Sequence, residues 1–365
     1  MRFLLINQFY PPDVAPTGQL LHDVARTLVE RGHQVRVVCS RASYAGRETG
    51  PPPAAREVMD GVEVRRLRGA RWGRASTAGR LAGYGAFLAG AAARALLARP
   101  RPHLVLCLTT PPFLGLAARL ASSLRGTAHA HWLMDVYPDA AVAHGMVRER
   151  GPSARLLRAL ARHHLRGAAL VLTLSPRMAG RSGRYVSGRS RHEWVTPWTH
   201  DEPAAGADAE RARLRQDRGW TDEETVLLYA GNMGLGHRVS EFLEAARRLG
   251  PAGPRWAFVG GGPRRQEVAA FRAGCPQARV ELLDYVPRAD LGASLAAGDV
   301  HLASLSSAWQ DLMVPSKVVA AFSAARPVIF VGARTSDAAA WIEESGGGWV
   351  VRERDVEGLL AAVAE

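Results

Sequence analysis

Short apolar runs alternate with helical patterns along the whole of this chain. Residues 2–7 (RFLLIN) are mostly apolar and end at a polar loop, which is typical of a buried parallel strand. Residues 19–31 place Leu, Val and Ala at helical spacing, and residues 34–39 (QVRVVC) predict a second strand. A strand, a helix and a second strand in this order predict a doubly wound parallel sheet.

The same alternation predicts an α/β protein of two Rossmann-like domains, residues 1–200 and 201–365. The apolar stretch at residues 81–98 is interrupted and rich in Ala and Gly, so it predicts a buried helix rather than a membrane span. A change of composition at residues 199–219, towards Ala, Asp and Arg, predicts a linker. Further strands are predicted at residues 61–68, 104–108, 129–135, 170–174, 226–230, 255–259, 280–283, 300–305, 328–331 and 349–351.

The composition is that of an ordered and strongly basic protein. Among its 365 residues 47% are hydrophobic and 22% are charged, and the net charge of +13 indicates an anionic partner. The arginines are dispersed without a nucleic-acid-binding motif, so we favour a phosphorylated substrate or a membrane surface over nucleic acid. Three distant cysteines predict buried thiols rather than disulfides or a zinc site. Because residues 1–39 predict folded structure rather than a leader, the expected location is the cytoplasm, including the inner face of the membrane.

Lys317 is the single lysine among 47 cationic side chains. Pro315 and Ser316 before it predict a turn and an N-cap, and residues 318–325 after it predict a buried helix. Lys317 would then lie in the first helical turn, where free amides and the helix dipole favour an anion. An ammonium suits single phosphate oxygens, so the position predicts a diphosphate site. The alternative is a chance surface lysine.

Two glycine-rich turns follow predicted strands in the second half, at residues 231–237 (GNMGLGH) and 260–263 (GGGP). Such turns direct backbone amides towards phosphates, although neither matches the dinucleotide or the Walker fingerprint. Together with Lys317 they predict phosphate binding in the second domain. In the first domain, Thr17 and Gly18 lie at a helix start, where the backbone can approach a ligand or simply turn.

Residues 129–139 (HAHWLMDVYPD) hold the most informative polar side chains of the first half. A predicted strand ends at Asp135, and ligands of open α/β sheets bind at the carboxyl ends of strands. Asp135 could orient or deprotonate a hydroxyl group, or it could cap the helix expected at residues 140–144. His131 and Tyr137 are candidate ligand contacts, although a hydrogen-bonded core histidine is the simpler explanation for His131.

A basic loop at residues 69–80 interleaves arginine with tryptophan. This combination suits an anionic membrane surface, whereas the plainer interpretation is a solvated loop before the next helix. Both interpretations stay open. The side chains concerned are Arg71, Trp72, Arg74 and Arg80.

A series of short motifs runs through both halves in a characteristic order. They lie at residues 11–13 (PPD), 31–33 (RGH), 132–139 (WLMDVYPD), 229–232 (YAGN), 258–263 (FVGGGP), 285–287 (YVP), 314–317 (VPSK) and 325–328 (ARPV). Together they resemble the family-4 retaining glycosyltransferases of the GT-B fold, closest to the bacterial surface-polysaccharide branch. The resemblance covers nearly the whole chain, so the motifs support one another.

The resemblance implies transfer of a sugar from a nucleoside-diphosphate donor in the second domain to an acceptor hydroxyl in the first, across the cleft that the two domains face. No metal or other cofactor is implied, because backbone amides and basic side chains hold the diphosphate in such enzymes. The expected partners are a nucleotide sugar and a sugar or lipid-linked acceptor, with contact to an anionic membrane. With the residue analysis above, the candidates are Asp135, His237 and Lys317 as catalytic residues, Gly18, Gly231, Asn232, Gly262, Gln310, Asp311, Pro315 and Ser316 as donor-binding residues, and Thr17, His131 and Tyr137 as acceptor-binding residues.

The diphosphate-binding side chains depart from the family pattern. Asn232 stands where many relatives carry Arg, and His237 stands where many carry Lys. These exchanges leave His237 and Lys317 to stabilise the departing diphosphate. The usual pair of glutamates is also missing, since Ala320 occupies the second position and the pair 310–311 (QD) is the nearest polar pair to the first.

Further departures concern the end of the chain. Ala325 replaces a glycine that usually precedes Arg-Pro-Val, and the chain ends at Glu365 inside a predicted helix, where relatives usually continue. A catalytically degenerate nucleotide-sugar-binding scaffold of the same fold is therefore the alternative hypothesis. An epimerase would need an acid/base set that we cannot assemble here, and a nicotinamide-dependent oxidoreductase would need a dinucleotide fingerprint.

Overall fold

The computed structural model describes residues 1–13, 15–41, 52–68, 77–199, 207–287 and 290–365. The chain divides into two compact units, Met1–Thr196 and Pro197–Glu365. The boundary expected at residue 200 lies close to this division. The basic loop at residues 69–80, interpreted either as a membrane contact or as a solvated loop, lies largely outside the described residues, as does the side chain of Arg80.

Unit 1 alternates strands with helices, as its apolar pattern predicts. Its strands are β1 (Arg2–Ile6), β2 (Gln34–Ser40), β3 (Arg56–Met59), β4 (Val62–Leu67), β5 (Leu104–Cys107), β6 (Ala128–Trp132), β7 (Leu170–Thr173) and β8 (Arg191–Trp194). Its helices are α1 (Pro16–Glu30), α2 (Thr77–Leu97), α3 (Gly115–Arg125), α4 (Asp139–Ala143), α5 (Pro152–Leu165) and α6 (Pro176–Ser182).

The strands of unit 1 form an eight-stranded sheet in the order β3-β4-β2-β1-β5-β6-β7-β8, within the part of the chain that is described. Every pair is parallel apart from the hairpin of β3 with β4. The central strand β1 pairs with β2 through Leu5 and Val37 and with β5 through Leu5 and Leu106. Strand order therefore reverses at β1, and ligands of such sheets bind at the carboxyl ends of the strands beside this reversal.

The two outer strands, β3 and β8, are absent from the sequence-based assignment. Each is four residues long, with the sequences REVM and RHEW. Their residues are half-buried or exposed, so neither presents an apolar run. Short charged edge strands are a common protection against edge-to-edge pairing, and only pairing with the neighbouring strand reveals them.

The apolar stretch at residues 81–98 forms most of helix α2, which packs against α3. The prediction of a buried helix holds for one face only, since Leu81 and Leu97 are exposed to solvent. Phe87, Ala91 and Ala95 of α2 share a core cluster with Ala117 and Ala121 of α3. Among the described residues, no helix combines the length and the hydropathy needed to cross a bilayer. The cysteines at positions 39, 107 and 275 are buried and unpaired, as expected.

Three buried histidines connect β6 with α5. The Nε2 atoms of His131 and His129 donate to the main-chain oxygen of His164 at 3.0 and 3.3 Å. Burial lowers the pKa of all three imidazoles, to about 3 for His164, so the rings are neutral. Gly115 leaves the space that two of the rings fill: a Cβ there would overlap His131 and lie 2.5 Å from Nδ1 of His164.

Unit 2 repeats the alternation with its own sheet. Its strands are β9 (Val226–Ala230), β10 (Arg255–Val259), β11 (Val280–Leu283), β12 (Val300–Leu305), β13 (Val328–Gly332) and β14 (Gly348–Val351). Its helices are α7 (Ala207–Asp217), α8 (Ser240–Leu249), α9 (Arg265–Gly274), α10 (Leu291–Ala296), α11 (Ser316–Ser323), α12 (Asp337–Ser345) and α13 (Val356–Ala364).

The six described strands of unit 2 are parallel throughout, in the order β11-β10-β9-β12-β13-β14. Strand order reverses between β9 and β12, so the carboxyl ends of these two strands frame the expected ligand crevice. Tyr229, Phe242, Trp256 and Phe258 are completely buried in the core between this sheet and its helices. Both sheets were predicted from their apolar strands, and the predicted α/β class is confirmed.

The linker predicted at residues 199–219 is wrong for most of its described length, because α7 lies inside it. Helix α7 packs on α10, and Arg215, only 1% exposed, binds the Asp299 carboxylate at 3.0 Å and the Glu224 carbonyl at 2.7 Å. The polar composition of residues 199–219 therefore belongs in part to a helix of unit 2, whose buried Arg215 hydrogen-bonds to residues beside the strand ends. Hydrogen bonds to a charged group compensate the cost of burying it.

The space at Gly115 gives a test of the histidine cluster. Gly115→Ala forces a methyl group into the rings of His131 and His164, and we expect it to cost about 1–3 kcal/mol of unfolding free energy. The matched variant Gly85→Ala lies in the interior of α2, where a Cβ meets nothing within 4 Å. It should be neutral or stabilise by about 0.5–1 kcal/mol. Urea denaturation of both variants checks this, and an equal response of the two would contradict it.

Candidate functional site

Three segments of unit 2 meet around the glycine-rich turn at residues 231–237. The Met233 amide donates to the Gly261 carbonyl at 2.6 Å, which joins the turn after β9 to the turn after β10. The Ser306 amide donates to the Gly236 carbonyl at 2.8 Å, which adds the segment after β12. The three segments therefore form one continuous surface at the carboxyl ends of the strands.

The glycines of these turns are needed for close backbone approach. Gly260 and Gly262 have φ angles of +127° and +115°, which L side chains rarely adopt. A Cβ on Gly260 would overlap the Gly231 carbonyl, and one on Gly262 would overlap the Asn232 side chain. The sequence pattern predicts that Gly231 and Gly262 let the backbone approach a ligand. The structure adds a second reason for glycine at these positions, which is that one turn packs directly on the other.

Lys317 points from the first turn of α11 to the same place. Its Nζ donates to the Asn232 carbonyl at 2.8 Å and lies 4.8 Å from the centroid of the Tyr229 ring. The side chain is 8% exposed, and burial lowers its pKa to about 7. The predicted position in the first helical turn is confirmed, and the chance surface lysine is excluded.

The predicted N-cap at this helix is wrong in detail. Helix α11 begins at Ser316, Pro315 occupies the capping position, and neither side chain caps the helix. Within the described residues, the amides of Ser316 and Lys317 donate to no protein acceptor. These amides, the positive end of the helix dipole and the ammonium together form a site suited to an anion.

His237 closes the turn and is held by β12. Its Nδ1 lies 2.6 Å from the Ser304 carbonyl, and its ring lies 6.4 Å from that of Tyr229. Burial first, and then the Lys317 charge, lower its pKa to about 3. His237 and Lys317, two candidates that lie 80 positions apart in the chain, therefore belong to one electrostatic cluster.

Arg264 is a member of this cluster that the sequence analysis missed. Its main-chain amide donates to Met233 O at 3.0 Å, and its guanidinium donates to Leu235 O at 3.2 Å. Its charge also contributes to the lowered pKa of His237. The position of Arg264 directly after the GGGP motif, at the start of α9, could have identified it from the sequence. The chain contains many other arginines, however, so this position did not stand out.

Gln310 and Asp311, two further predicted donor contacts, follow β12 in the chain. The Gln310 amide donates to Thr335 Oγ1 at 2.9 Å, on the loop after β13. Asp311 is in the left-handed region with φ of +62°. Ala325, in the place of a family glycine, also has a positive φ of +51°. That conformation explains why glycine suits the position, since a side chain there costs about 1–2 kcal/mol.

In unit 1, Asp135 lies in a recess at the carboxyl end of β6. Its carboxylate has no hydrogen-bond partner among the described residues, and burial raises its pKa to about 6. Tyr137 lines the same recess, and the Asp135 charge adds to the effect of burial in raising the pKa of its hydroxyl. The recess is lined by Thr109, Phe113, Leu133, Asp135, Val136, Tyr137, His164, Leu165 and Tyr185.

The segment that carries Asp135 is fixed from both sides. The Met134 amide donates to Thr109 Oγ1 at 3.2 Å, and Asp139 accepts from Arg184 at 2.6 Å and from Tyr185 at 3.1 Å. Helix α4 begins at Asp139 without a side-chain cap, so the alternative role of Asp135 as a helix cap is wrong. The arrangement leaves the Asp135 carboxylate in a recess lined in part by aromatic rings.

Three predicted residues of unit 1 have structural partners instead. His131 is 2% exposed and hydrogen-bonded in the core, which corrects its assignment as an acceptor contact. A Cβ on Gly18 would lie 2.9 Å from the Phe9 carbonyl, so packing of α1 accounts for this glycine without a ligand. Thr17 accepts from the Asn7 side chain at 3.3 Å through its hydroxyl. Across the described ranges, no group of three or more His, Cys, Asp or Glu side chains is placed to hold a metal ion.

Comparison with known families assigns both units. Residues 17–198 match the model described as "Glycosyl transferase 4-like domain", and residues 224–365 match "Glycosyl transferases group 1". The chain belongs to the family-4-type glycosyltransferases. The family predicted from the sequence is thereby confirmed.

Two curated bacterial proteins are similar to this chain, and the name of one of them refers to a glycan. WcaI of Escherichia coli K12, named provisionally as a colanic acid biosynthesis glycosyl transferase, is 26% identical over 87% of this chain and 80% of its own length. WbjE of Pseudomonas aeruginosa, named as a probable glycosyltransferase, is 24% identical over 73% of this chain. The match spans 66% of WbjE, which is just under two thirds.

Solved structures agree with the fold. Sucrose-phosphate synthase of Thermosynechococcus elongatus superposes with a TM-score of 0.75 at 16% identity, over 100% of this chain and 89% of that one. Anabaena HepE in complex with UDP and glucose gives a TM-score of 0.68 at 16% identity, over 100% of this chain and 89% of that one. These likenesses confirm the predicted GT-B fold.

Proposed function

We propose that the protein transfers a sugar, with retention of configuration, from a nucleoside-diphosphate donor to an acceptor hydroxyl in bacterial polysaccharide or glycoconjugate biosynthesis. The observation that carries the proposal is the buried Lys317 ammonium, placed beside unpaired helix amides and two glycine-rich turns in unit 2. A diphosphate has the charge and size that such a cluster would stabilise. The HepE structure is a complex with UDP and glucose, which makes a UDP-sugar the first donor to test.

In this proposal the diphosphate is the leaving group. The bond between the sugar C1 and the diphosphate oxygen breaks, and a bond from C1 to the acceptor oxygen forms on the same face. The acceptor proton passes to the departing phosphate oxygen, so no protein nucleophile is needed. Lys317 and the turn amides, with His237 beside them, stabilise the negative charge of the leaving group, and the proposed reaction therefore requires no metal ion.

Asp135 would bind the acceptor in unit 1. Its carboxylate accepts a hydrogen bond from a second hydroxyl of the acceptor and thereby orients the reacting hydroxyl, whose proton stays free to pass to the phosphate oxygen. Phe113 and Tyr137 contact the apolar face of the acceptor. The aromatic lining and the unpartnered carboxylate of the recess support this role. A scaffold that binds a nucleotide sugar without turnover is the alternative, and it would show binding without release of a nucleoside diphosphate.

Unit 1 also presents a surface suited to an anionic membrane. Met146 and Leu156, between α4 and the first turns of α5, are 68% and 62% exposed. Arg148, Arg150 and Arg155 in the same segment are exposed as well. Exposed apolar side chains among arginines can insert beside anionic headgroups. We therefore propose that this segment contacts the membrane that carries a lipid-linked acceptor.

Donor binding can be measured by thermal shift against UDP, GDP, dTDP and ADP. A nucleotide at ~100 times its Kd should stabilise the wild type by about 2.7 kcal/mol. Lys317→Met keeps the apolar stem and removes the ammonium, so it should lose most of this stabilisation. Arg272→Gln, on the exposed side of α9, is the matched control and should retain it. A full nucleotide shift in Lys317→Met would contradict the site.

The acceptor role of Asp135 predicts a pH dependence. The burial-raised pKa of about 6 means that the carboxylate is lost as the pH falls through about 6, and kcat should fall with it. Asp135→Asn should lower kcat by roughly 10²-fold, because the reacting hydroxyl is misoriented, and should remove the acid limb. Release of nucleoside diphosphate across the pH range measures both effects. Glu149→Gln, an exposed carboxylate of the same unit, should behave as wild type.

Membrane contact is tested by flotation with phosphatidylglycerol vesicles against phosphatidylcholine vesicles. The wild type should float with the anionic vesicles, and the double variant Met146→Ser, Leu156→Ser should bind at least about tenfold more weakly. Leu97→Ser is the control and should bind normally. Leu97 is 75% exposed, but it is the last residue of α2 and lies outside the segment that carries Met146 and Leu156. Equal binding of the double variant and the control would reject this segment as the contact.

A further inference from the structure

The orientation and the protonation of His237 are fixed by its hydrogen bond to Ser304. Its Nδ1 lies 2.6 Å from the Ser304 carbonyl, and a carbonyl oxygen can only accept, so Nδ1 must carry the hydrogen. Ser304 is itself immobilised, since its hydroxyl accepts from the Arg238 amide at 2.9 Å and donates to the Arg238 carbonyl at 2.7 Å. The neutral ring therefore keeps its lone pair on Nε2.

Nε2 of His237 is directed to the proposed diphosphate position. It has no hydrogen-bond partner within the described part of the chain, although His237 is only 6% exposed. A Cβ on Gly234 would lie 3.9 Å from Nε2, so this atom lies beside the turn. The Gly234 and Leu235 amides of that turn donate to no described acceptor. The lone pair of Nε2 thus lies beside amide donors that are suited to an anion.

The charges that face His237 are cationic. Lys317 from α11 and Arg264 from the start of α9 both lower its pKa, after burial, while Tyr229 from β9 contributes an uncharged ring. The adjacent Arg238 is bound to Glu241 at 2.6 Å and directed away by that ion pair. The ligand-free ring is therefore neutral. A bound dianion would place negative charge beside the ring, and this charge would favour the protonated form.

We propose that the nucleotide-sugar donor binds together with one proton, which His237 takes up on Nε2 from solvent. A lone pair on Nε2 repels an anionic oxygen, whereas the imidazolium N–H donates a charge-assisted hydrogen bond to it. His237 would thus stabilise the departing diphosphate as a cation that exists only while the diphosphate is present. The inference rests on the proposed function, and it adds the protonation step to donor binding.

Proton uptake makes the affinity depend on pH in a defined window. The window lies above the ligand-free pKa of His237, about 3, and below that of Lys317, about 7, so Lys317 is already charged within it. The diphosphate diester of a nucleotide sugar keeps its charge there. Between about pH 5.5 and 6.5 the Kd of the donor should rise about tenfold per pH unit, because one proton is bound with it.

The experiment is calorimetric titration of the full chain at about pH 6 in two buffers of different ionisation enthalpy. The probe is whichever of UDP-glucose, GDP-mannose, dTDP-glucose and ADP-glucose stabilises the protein most. The difference between the apparent enthalpies gives the protons taken up, which should be about one per donor bound. The wild type alone therefore tests the proposal, even if a variant does not fold.

Variants assign the proton to its residue. His237→Gln keeps an amide donor near Nε2 but binds no proton, so its uptake should vanish and its Kd should become nearly independent of pH. His301→Gln is the matched control, since His301 is a second buried histidine of unit 2, bonded to the Leu295 carbonyl at 2.9 Å. It should take up the proton as wild type does. Asp135→Asn, whose wild-type carboxyl has a pKa of about 6, should also retain the uptake.

The outcomes separate this proposal from the function on which it rests. Donor binding without proton uptake, or with uptake that survives in His237→Gln, overturns the role of His237 and leaves the donor site intact. Failure of all four nucleotide sugars to bind overturns both. Uptake that disappears in His237→Gln alone is the result expected.

Discussion

The second unit depends on the burial of a single ammonium group. Lys317 is 8% exposed, and a buried cation must be matched by acceptors or by an anion. The protein supplies one carbonyl, that of Asn232, and the face of the Tyr229 ring, which leaves donor capacity unused. Burial also lowers the pKa of Lys317. A bound diphosphate would supply the missing hydrogen-bond acceptors, and we infer that the two turns, the start of α11 and His237 lie together for this reason.

Asp135 and His237 are both buried in surroundings that favour their uncharged forms, although one is an acid and the other is a base. Burial raises the pKa of Asp135 in unit 1 and lowers that of His237 in unit 2, so each group responds to what binds beside it. Asp135 is surrounded by rings and meets an acceptor hydroxyl in the proposed reaction. His237 is influenced by two cationic side chains, Lys317 and Arg264, and meets the diphosphate in the same proposed reaction.

Glycines have two different functions in this chain, and the sequence does not distinguish them. Those after β9 and β10 allow two turns to touch and also expose amides towards a ligand. Gly18 and Gly115 only make room for backbone or for imidazole rings of the same unit. Ala325 shows the converse, because a residue with a side chain adopts φ of +51° where the family has glycine. Glycine-rich turns are therefore informative only together with the groups that surround them.

The sequence by itself determined the two mostly parallel sheets, the family and the place of Lys317, because each is visible in patterns of neighbouring residues. Apolar runs specify buried strands, and a proline-serine turn before an apolar segment specifies a helix start. Only the tertiary structure decided the roles of His131, Arg264 and the edge strands. Burial, hydrogen-bond partners and the surrounding charge come from residues that are distant in the chain. These long-range contacts set whether a histidine lies in a core or beside a ligand, and no local pattern contains them.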